Sequence, residues 1–181
     1  MRAGDPGSAV AGAVPGRALY TPDQRLRRDR TRWTLVQGIL APVQFAIFLV
    51  SLLLVLRYLV TDGGAGAATV SIVVKTLALY AIMVTGSLWE KVVFGRWLFA
   101  APFFWEDVVS MLVLALHTAY LVALVAGLGT ERGRMLLALA AYASYLVNAG
   151  QFLLKLRAAR LQGTRPPVLS TAPAATRPRP A

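Results

Sequence analysis

Four long apolar blocks, separated by short polar or glycine-rich stretches, dominate the sequence. Each block has about 20 residues, the length that a helix needs to cross a hydrocarbon core of roughly 30 Å. The glycine-rich stretches at 62–68 and 127–134 are typical of turns between helices. The pattern therefore predicts an all-α fold, an integral membrane four-helix bundle with spans at 38–60, 68–89, 108–128 and 135–156.

Each predicted span carries polar side chains along one face of its helix. Residues three, four or seven apart share a helix face, and the polar positions follow this spacing. Because lipid cannot satisfy polar groups, we expect these faces to point at one another or at an internal cavity. Hydrogen bonding between packed helices is the simplest role for such residues. The faces comprise Gln37, Gln44 and Ser51; Thr76, Tyr80, Ser87 and Glu90; Glu106, Ser110 and His117; and Ser144, Asn148, Gln151 and Lys155.

The two ends of the chain lack helical or strand periodicity. Residues 1–20 are rich in Gly, Ala and Pro, and residues 162–181 are rich in Pro, Ala and Thr. Such compositions bury too little apolar surface to fold, so both ends are predicted to be disordered tails. The membrane domain is accordingly placed at 21–161.

Composition supports the membrane assignment, and charge orients it. The 181 residues are 57% hydrophobic and only 15% charged, against about 25% charged in an average soluble domain. The net charge of +11 arises mainly from arginines before the first span and after the last. Lysine and arginine favour the cytoplasmic side, so both termini and the connection between the second and third spans are predicted to be cytoplasmic. Basic residues in these positions anchor spans in the lipid bilayer, and no nucleic-acid partner is expected.

Residue counts exclude several kinds of site. The chain has no cysteine and a single histidine, His117. Disulfides, thiolate catalysis, iron–sulfur clusters and zinc–thiolate sites are therefore excluded, as is a metal site built from several histidines of one chain.

The connection between the second and third spans holds the most unusual residues of the chain. Three of the eight carboxylates, Glu90, Glu106 and Asp107, lie at its edges, and Glu90 and Glu106 each follow a tryptophan. Ionisable groups at a membrane edge are often functional. Two structural alternatives stay open: the acids are solvated, or Glu90 or Glu106 forms an ion pair with Lys91 or Arg96.

Aromatic side chains surround these acids in the sequence. Trp89, Trp97 and Trp105 sit at predicted cytoplasmic ends of spans, where tryptophans commonly anchor membrane helices. Their density, together with the phenylalanines nearby, exceeds what anchoring requires. A large flat aromatic ligand would use such a wall.

Two ionisable residues lie deeper in the spans. Lys75, in the outer half of the second span, is expected to extend its amine to the membrane surface. His117 lies 11 residues beyond Glu106, which is about 16 Å along a helix axis. From its position alone, it is expected to be a hydrogen-bonded histidine of the bundle interior.

Five segments of the sequence carry a resemblance to a known family. They are LYTPDQRLRRD at 19–29, WTLVQGILAPVQF at 33–45, SIVVKTLALYAIMVTGSLWEKVVFG at 71–95, FFWEDVVSMLVLALHTAYL at 103–121 and NAGQFLLKLRAARL at 148–161. In this order they resemble the vinyl bacteriochlorophyllide hydratases of bacteriochlorophyll biosynthesis. The resemblance covers residues 19–161 and therefore all four spans.

The resemblance implies a hydro-lyase that acts on a magnesium chlorin or bacteriochlorin. Water is added to the C3-vinyl group of chlorophyllide a or a bacteriochlorophyllide, and the product carries a 3-(1-hydroxyethyl) group. No separate cofactor is implied, because magnesium is carried by the substrate. The implied location is a bacterial inner (photosynthetic) membrane, with other pigment-biosynthesis enzymes as further partners. The lysine and arginine distribution predicts that the active site lies on the cytoplasmic side.

The acidic cluster suits this chemistry. Hydration needs one group to protonate the terminal carbon and another to take a proton from the attacking water, and two carboxyl groups in different protonation states can do both. We therefore assign catalysis to Glu90, Glu106 and Asp107, without deciding which is acid and which is base. The basic N-terminal segment would attract the propionate carboxylate of the substrate. The predicted substrate-binding residues are Lys91, Arg96, Trp89, Trp105, His117, Asn148 and Gln151, with His117 as a candidate axial ligand of the substrate magnesium.

Two other functions are compatible with a small polar-lined bundle. A non-catalytic pigment-binding or assembly subunit would carry the chlorin unchanged and would produce no spectral shift with time. An ion or proton transporter would be expected to place carboxylates near the bilayer centre. The clustering of the acids at one end argues against the transporter.

Overall fold

The computed structural model describes residues 19–163, and within them the chain forms five α-helices. They are α1 Pro22–Arg30, α2 Arg32–Thr61, α3 Ala65–Phe94, α4 Phe104–Val125 and α5 Glu131–Gly163. The last four are long and apolar enough to cross a membrane. The predicted all-α architecture with four spans is thus confirmed.

Helix α1 is an element that the apolar pattern did not predict. Thr21 and Gln24 form a capping box at its start, in which each side chain binds the backbone N–H of the other residue. Thr31 ends α1 and caps α2, accepting a hydrogen bond from the backbone N–H of Trp33. The basic segment before the first span is therefore a short helix joined to α2 through one residue.

The four spans pack as two hairpins. Helix α2 pairs with α3, and α4 pairs with α5, while contacts of α2 with α5 and of α3 with α4 close the bundle. At the centre of the bundle, Phe48 contacts the rings of Tyr142 and Tyr145 at centroid distances of 5.4 and 4.9 Å. Interdigitated rings from α2 and α5 thus join one hairpin to the other.

The outer surface of the bundle is apolar. Large side chains such as Leu53, Val60 and Leu154 are mostly exposed. A soluble monomer rarely exposes so much apolar surface, whereas lipid accommodates it without penalty. The distribution of exposed leucines and valines therefore agrees with a multi-pass membrane protein.

The alternating direction of the spans sorts the loops to two ends. The α2–α3 and α4–α5 turns lie at one end, where Arg132 binds Asp62 at 3.2 Å and Tyr58 donates to Glu131 at 3.3 Å. The α3–α4 loop, at 95–103, lies at the other end, which we call the acidic end. The acids singled out from the sequence all lie there.

The tail predictions fall largely outside the described residues. Residues 1–18 and 164–181 are not described, so disorder there stays a prediction. Two boundaries differ from those expected. Tyr20, placed in the N-terminal tail, is buried against Phe94 and Phe103, and α5 continues through Gly163.

Candidate active site

The three carboxyl groups predicted to be catalytic are buried together at the acidic end. Glu90 lies in the last turns of α3, and Glu106 and Asp107 lie in the first turn of α4. Their exposed fractions are 5%, 6% and 3%. The alternative that these acids are solvated is therefore wrong, because burial removes them from water.

The backbone of the α3–α4 loop binds two of the acids. The N–H of Phe99 donates to Asp107 Oδ2 at 2.7 Å, and the N–H of Ala100 donates to Glu90 Oε2 at 3.2 Å. Phe99 has a φ of 57°, a left-handed conformation that is uncommon for a residue other than glycine. This conformation lets two consecutive amides point at the two carboxyl groups, so the loop covers the acids.

Glu90 and Asp107 lie close together beneath the loop, because the amides that bind them belong to consecutive residues. Two ionised carboxylates in one buried site repel each other, so such a pair is more stable when it carries one proton. The geometry thus brings an acid and a base together in one buried pair.

Glu106 occupies a different environment from the other two acids. Its Oε2 accepts a hydrogen bond from Lys155 Nζ in an ion pair, and the same ammonium group donates to the carbonyl of Pro102. The sequence alternative of an ion pair with Lys91 or Arg96 is therefore wrong for Glu106, because its partner comes from α5.

Lys91 and Arg96 lie on the exposed surface of the acidic end. Lys91 Nζ donates to the Gly95 carbonyl at 3.2 Å and lies 5.6 Å from the centre of the Trp97 ring. Both cations remain available to a ligand that approaches from outside the bundle. Their predicted substrate-binding role stays a prediction.

Aromatic rings form a packed cluster beside the acids, as the sequence led us to expect. Phe103 contacts Trp89, Phe94 and Phe152 at centroid distances between 5.7 and 6.1 Å. The indole N–H of Trp89 donates to Thr34 Oγ1 at 2.9 Å, which fixes the ring against α2.

The other tryptophan predicted to bind substrate is oriented differently. Trp105 is 68% exposed and stacks edge-on against Phe104. Trp97 is also largely exposed. The aromatic residues of the acidic end therefore divide into a buried cluster and an outward-facing set.

Asn148 and Gln151 lie on the same face of α5 as Lys155, about two turns and one turn farther from the acids. Asn148 Nδ2 donates to Ser110 Oγ at 2.8 Å, which links α5 to α4. The side-chain oxygens of both residues are buried and, within the described residues, have no hydrogen-bond partner. These acceptors are free to bind a ligand, so the structure is compatible with the binding role predicted for them.

His117 lies in the bundle interior, with 1% of its surface exposed. Its Nδ1 is 2.8 Å from the Val113 carbonyl, and its ring contacts Tyr142 at 5.8 Å between centroids. The expectation of a hydrogen-bonded interior histidine is confirmed. Its role as an axial magnesium ligand stays a prediction.

The expectation that Lys75 reaches the membrane surface is wrong. Lys75 is fully buried, and its Nζ lies 3.8 Å from the centre of the Tyr145 ring. The face of an aromatic ring attracts a cation, which gives the buried ammonium group a favourable contact inside the bundle.

Sequence reasoning did not include several residues that build the site. Lys155 was assigned only to a polar helix face, although its four-residue spacing from Gln151 placed it on the acidic end of that face. The amides of Phe99 and Ala100 carry no sequence signal, because a backbone donor is present at every residue except proline.

A groove of about 320 Å³ beside α1 was also missed. It is lined by Leu26, Arg27, Arg30, Thr31 and Val92. The capping box at Thr21 and Gln24 could have located this groove, because the motif predicts the start of a helix. A helix in this segment places its arginines on defined faces.

The described residues show no arrangement of three or more His, Cys, Asp or Glu side chains that could hold a metal ion. The acidic end instead presents carboxyl groups with backbone and lysine donors. Those groups can exchange protons with a bound molecule.

Comparisons with known proteins agree with the resemblance seen in the sequence. The family model for 2-vinyl bacteriochlorophyllide hydratase matches residues 20–158. A 2-vinyl bacteriochlorophyllide hydratase of Cereibacter sphaeroides is 65% identical over 151 residues, which are 82% of this chain and 92% of that protein. One from Rhodobacter capsulatus is 64% identical over 146 residues, 81% of this chain and 85% of that protein. No solved structure matches the chain. From this coverage and identity, the chain belongs to the 2-vinyl bacteriochlorophyllide hydratase family.

Proposed function

We propose that this protein is a membrane hydro-lyase that adds water to the C3-vinyl group of a bacteriochlorophyll precursor. The observation that carries the proposal is the buried group of three carboxyl side chains, Glu90, Glu106 and Asp107, at one end of the bundle. Membership of the hydratase family agrees with it. Burial of acids in a membrane protein is unfavourable unless they are used or paired, which favours a chemical role.

The reaction needs one proton donor and one proton acceptor. A carboxylic acid protonates the terminal CH2 carbon of the vinyl group, which leaves a cation on the carbon attached to the macrocycle. Water attacks that carbon, and a carboxylate takes the proton that the water loses. The product is –CH(OH)–CH3, and the two carboxyl groups have exchanged roles with no net change in protons.

Glu90 and Asp107 fit these two roles. They are buried together under consecutive loop amides, and one proton on the pair makes one of them a donor and the other an acceptor. Glu106 is held by Lys155, and a carboxylate paired with an ammonium group is a poor proton donor. We assign the proton transfers to Glu90 and Asp107 and assign Glu106 the positioning of the first turn of α4.

Substrate entry requires movement of the α3–α4 loop. The amides of Phe99 and Ala100 occupy carboxyl oxygens that the reaction would use. We propose that the loop withdraws as the macrocycle binds and that Trp105 and Phe104, which are exposed at this end, contact the incoming ring. Trp89 would then line the inner wall of the opened site.

Cations at the acidic end provide sites for the propionate carboxylate of the substrate. Arg27 and Arg30 line the groove beside α1, which also includes Val92, two residues from Glu90 along α3. A lining of two arginines with the apolar Leu26 and Val92 suits a carboxylate on an apolar macrocycle. Lys91 and Arg96 are further candidates on the same end of the bundle.

The remaining assignments extend the same proposal. The acidic end faces the cytoplasm of a photosynthetic bacterial membrane, because the arginines flanking the spans favour that side. The enzyme needs no cofactor beyond the magnesium that its substrate carries. Contact with other pigment-biosynthesis enzymes stays a prediction.

Carboxamide variants test the proposal. Glu90→Gln and Asp107→Asn, assayed in membranes with chlorophyllide, are expected to lower kcat on the order of 100-fold or more, because each removes a proton-transfer group. Hydration takes the vinyl group out of conjugation, so the progress of the reaction is a blue shift in absorption. Glu131→Gln is the matched control, since Glu131 lies at the opposite end of the bundle and accepts from Tyr58.

Wild-type rates in both variants would reject the carboxyl mechanism. An unmodified protein that binds chlorophyllide tightly without any blue shift would instead support the pigment-binding alternative.

A further inference from the structure

The centre of the bundle holds polar atoms that the acidic end does not use. Lys75 Nζ and His117 Nε2 are buried, and neither has a hydrogen-bond partner among the described residues. Unpartnered polar groups are costly in a membrane interior, where solvent is absent. Two such groups on neighbouring helices therefore indicate a bound ligand.

All four spans contribute to this centre. Lys75 of α3 lies 3.8 Å from the ring centre of Tyr145, and His117 of α4 contacts the ring of Tyr142. Phe48 of α2 contacts both tyrosines, which belong to α5. Tyr142 and Tyr145 are three residues apart and therefore share one face of α5. The two unpartnered nitrogens thus lie beside neighbouring rings at a centre to which all four spans contribute.

The two nitrogens have opposite hydrogen-bonding roles. A carbonyl can only accept, so Nδ1 of His117 carries the hydrogen that binds the Val113 carbonyl, and Nε2 of the neutral ring presents a lone pair. Nζ of Lys75 carries N–H groups that can donate. A ligand shared by both must accept from Lys75 and donate to His117. Water does both and is small enough for a closed bundle.

Further unpartnered acceptors lead from this centre to the acidic end. Asn148 Oδ1 and Gln151 Oε1 lie three and six residues beyond Tyr145 along α5. Gln151 is therefore about 9 Å along the helix from Tyr145, and Lys155 is one turn farther. Lys155 binds Glu106, so the row of free oxygens ends at the acids.

We infer that Lys75 and His117 form an internal water-binding site, and that Asn148 and Gln151 continue it toward Glu106. Hydration consumes one water molecule for each product, and this row supplies that water from inside the bundle. The use of the water in catalysis rests on the proposed function, whereas the existence of the site does not.

A single-residue spectroscopic probe tests the site. His117 is the only histidine in the chain, so labelling histidine with nitrogen-15 gives ring signals from one residue. In the full-length protein in liposomes, solid-state NMR is expected to show magnetisation transfer from water to the ring nitrogens of His117. Absence of that transfer in the wild-type protein would overturn the inference.

Two substitutions on α3 test the role of Lys75. Lys75→Met keeps the length of the side chain but removes the donor, and it is expected to lose most of the water transfer to His117. The matched control is Thr76→Val, since Thr76 is equally buried but donates to the Ile72 carbonyl of its own helix. Equal transfer in Lys75→Met and wild type would contradict the shared site.

Enzyme assays separate water supply from proton transfer. Lys75→Met is expected to lower kcat without raising KM for chlorophyllide, and an unchanged kcat would overturn the supply role. Glu90→Gln is expected to lose activity while it keeps the water signal of His117. An active Glu90→Gln variant would contradict only the proposed acid roles.

Pigment addition tests the other ligand that His117 could bind. If the Nε2 signal shifts on addition of chlorophyllide, as it would on coordination to magnesium, the site binds the pigment and the water inference is overturned. An unchanged Nε2 signal is expected, because His117 is 1% exposed in the bundle interior, which a macrocycle could enter only if the spans separated.

Discussion

At the scale of single residues, three acids with similar sequence surroundings have different partners. Glu90 and Asp107 bind consecutive loop amides, whereas Glu106 binds Lys155. An acid held by a lysine contributes mainly to structure, and two acids that share a proton can transfer one. The different roles proposed for the three carboxyl groups thus follow from the groups that bind them.

The Glu106–Lys155 pair gives the first residue-scale prediction. Glu106→Gln leaves the Lys155 charge without its partner, and we expect a loss of about 2–3 kcal/mol in stability, below the range for fully buried pairs because Lys155 is partly exposed. Thermal unfolding of the purified protein, followed by circular dichroism, measures this loss.

A double variant serves as the control for that prediction. Glu106→Gln combined with Lys155→Met removes both charges and is expected to recover most of the lost stability, because no unpaired charge remains. If the two single losses simply add in the double variant, the ion pair does not stabilise the bundle as described.

Phe99 gives a second residue-scale prediction. Its left-handed backbone is unfavourable for a β-branched residue and free of strain for glycine. Phe99→Val is expected to lower stability by about 1–3 kcal/mol relative to Phe99→Gly. Equal melting temperatures for the two variants would show that the loop adopts another conformation.

At the scale of elements, α1 shows how an additional helix can shape a site. Its capping box fixes where the helix starts, and Tyr20, just before it, packs on the aromatic cluster and receives the Arg28 guanidinium 4.8 Å above its ring. These contacts fix the arginines of α1 beside the end of α3. A basic segment that the sequence suggested as a general anchor thus becomes a defined wall of a groove.

The groove beside α1 gives an element-scale prediction. Arg27→Gln and Arg30→Gln are expected to raise KM for chlorophyllide with little change in kcat, because they weaken propionate binding but not the proton transfers. Steady-state assays in membranes measure both constants. Arg132→Gln is the control, since Arg132 binds Asp62 at the opposite end, and an equal KM effect there would refute the groove as the carboxylate site.

The spans illustrate what periodicity can and cannot predict at this scale. Apolar runs located all four membrane helices, and the spacing of Glu106, Ser110 and His117 correctly placed them on a buried face. Periodicity did not show which residue on a facing helix each would meet. The Glu106–Lys155 and Ser110–Asn148 contacts depend on the packing of α4 against α5, which no local pattern encodes.

Lys75 shows the same limit for a single charge. A lysine in an apolar span is usually assumed to extend toward water. In this bundle the ring of Tyr145, far away in sequence, provides an internal contact instead. The position of the acids beside a group of aromatic rings could therefore be predicted from their clustering in sequence, but the surroundings of Lys75 at the bundle centre could not.

At the scale of the whole molecule, orientation is the property that most directly tests the proposal. The chain has no cysteine, so single cysteines can be introduced without background. In intact cells, Gly63→Cys is expected to react with a membrane-impermeant maleimide, and Ala101→Cys is expected to react only after the cells are opened. The opposite pattern would place the acidic end outside the cytoplasm.

The bond between Lys155 and Glu106 has a consequence for biogenesis. Glu106 is synthesised first, and its partner leaves the ribosome only after nearly all of α5 has been made. If α4 entered the lipid before that moment, Glu106 would lie at the edge of the bilayer without its partner, which is unfavourable. We therefore expect the translocon to retain α4 until α5 arrives and to deliver the two helices to the membrane as one unit.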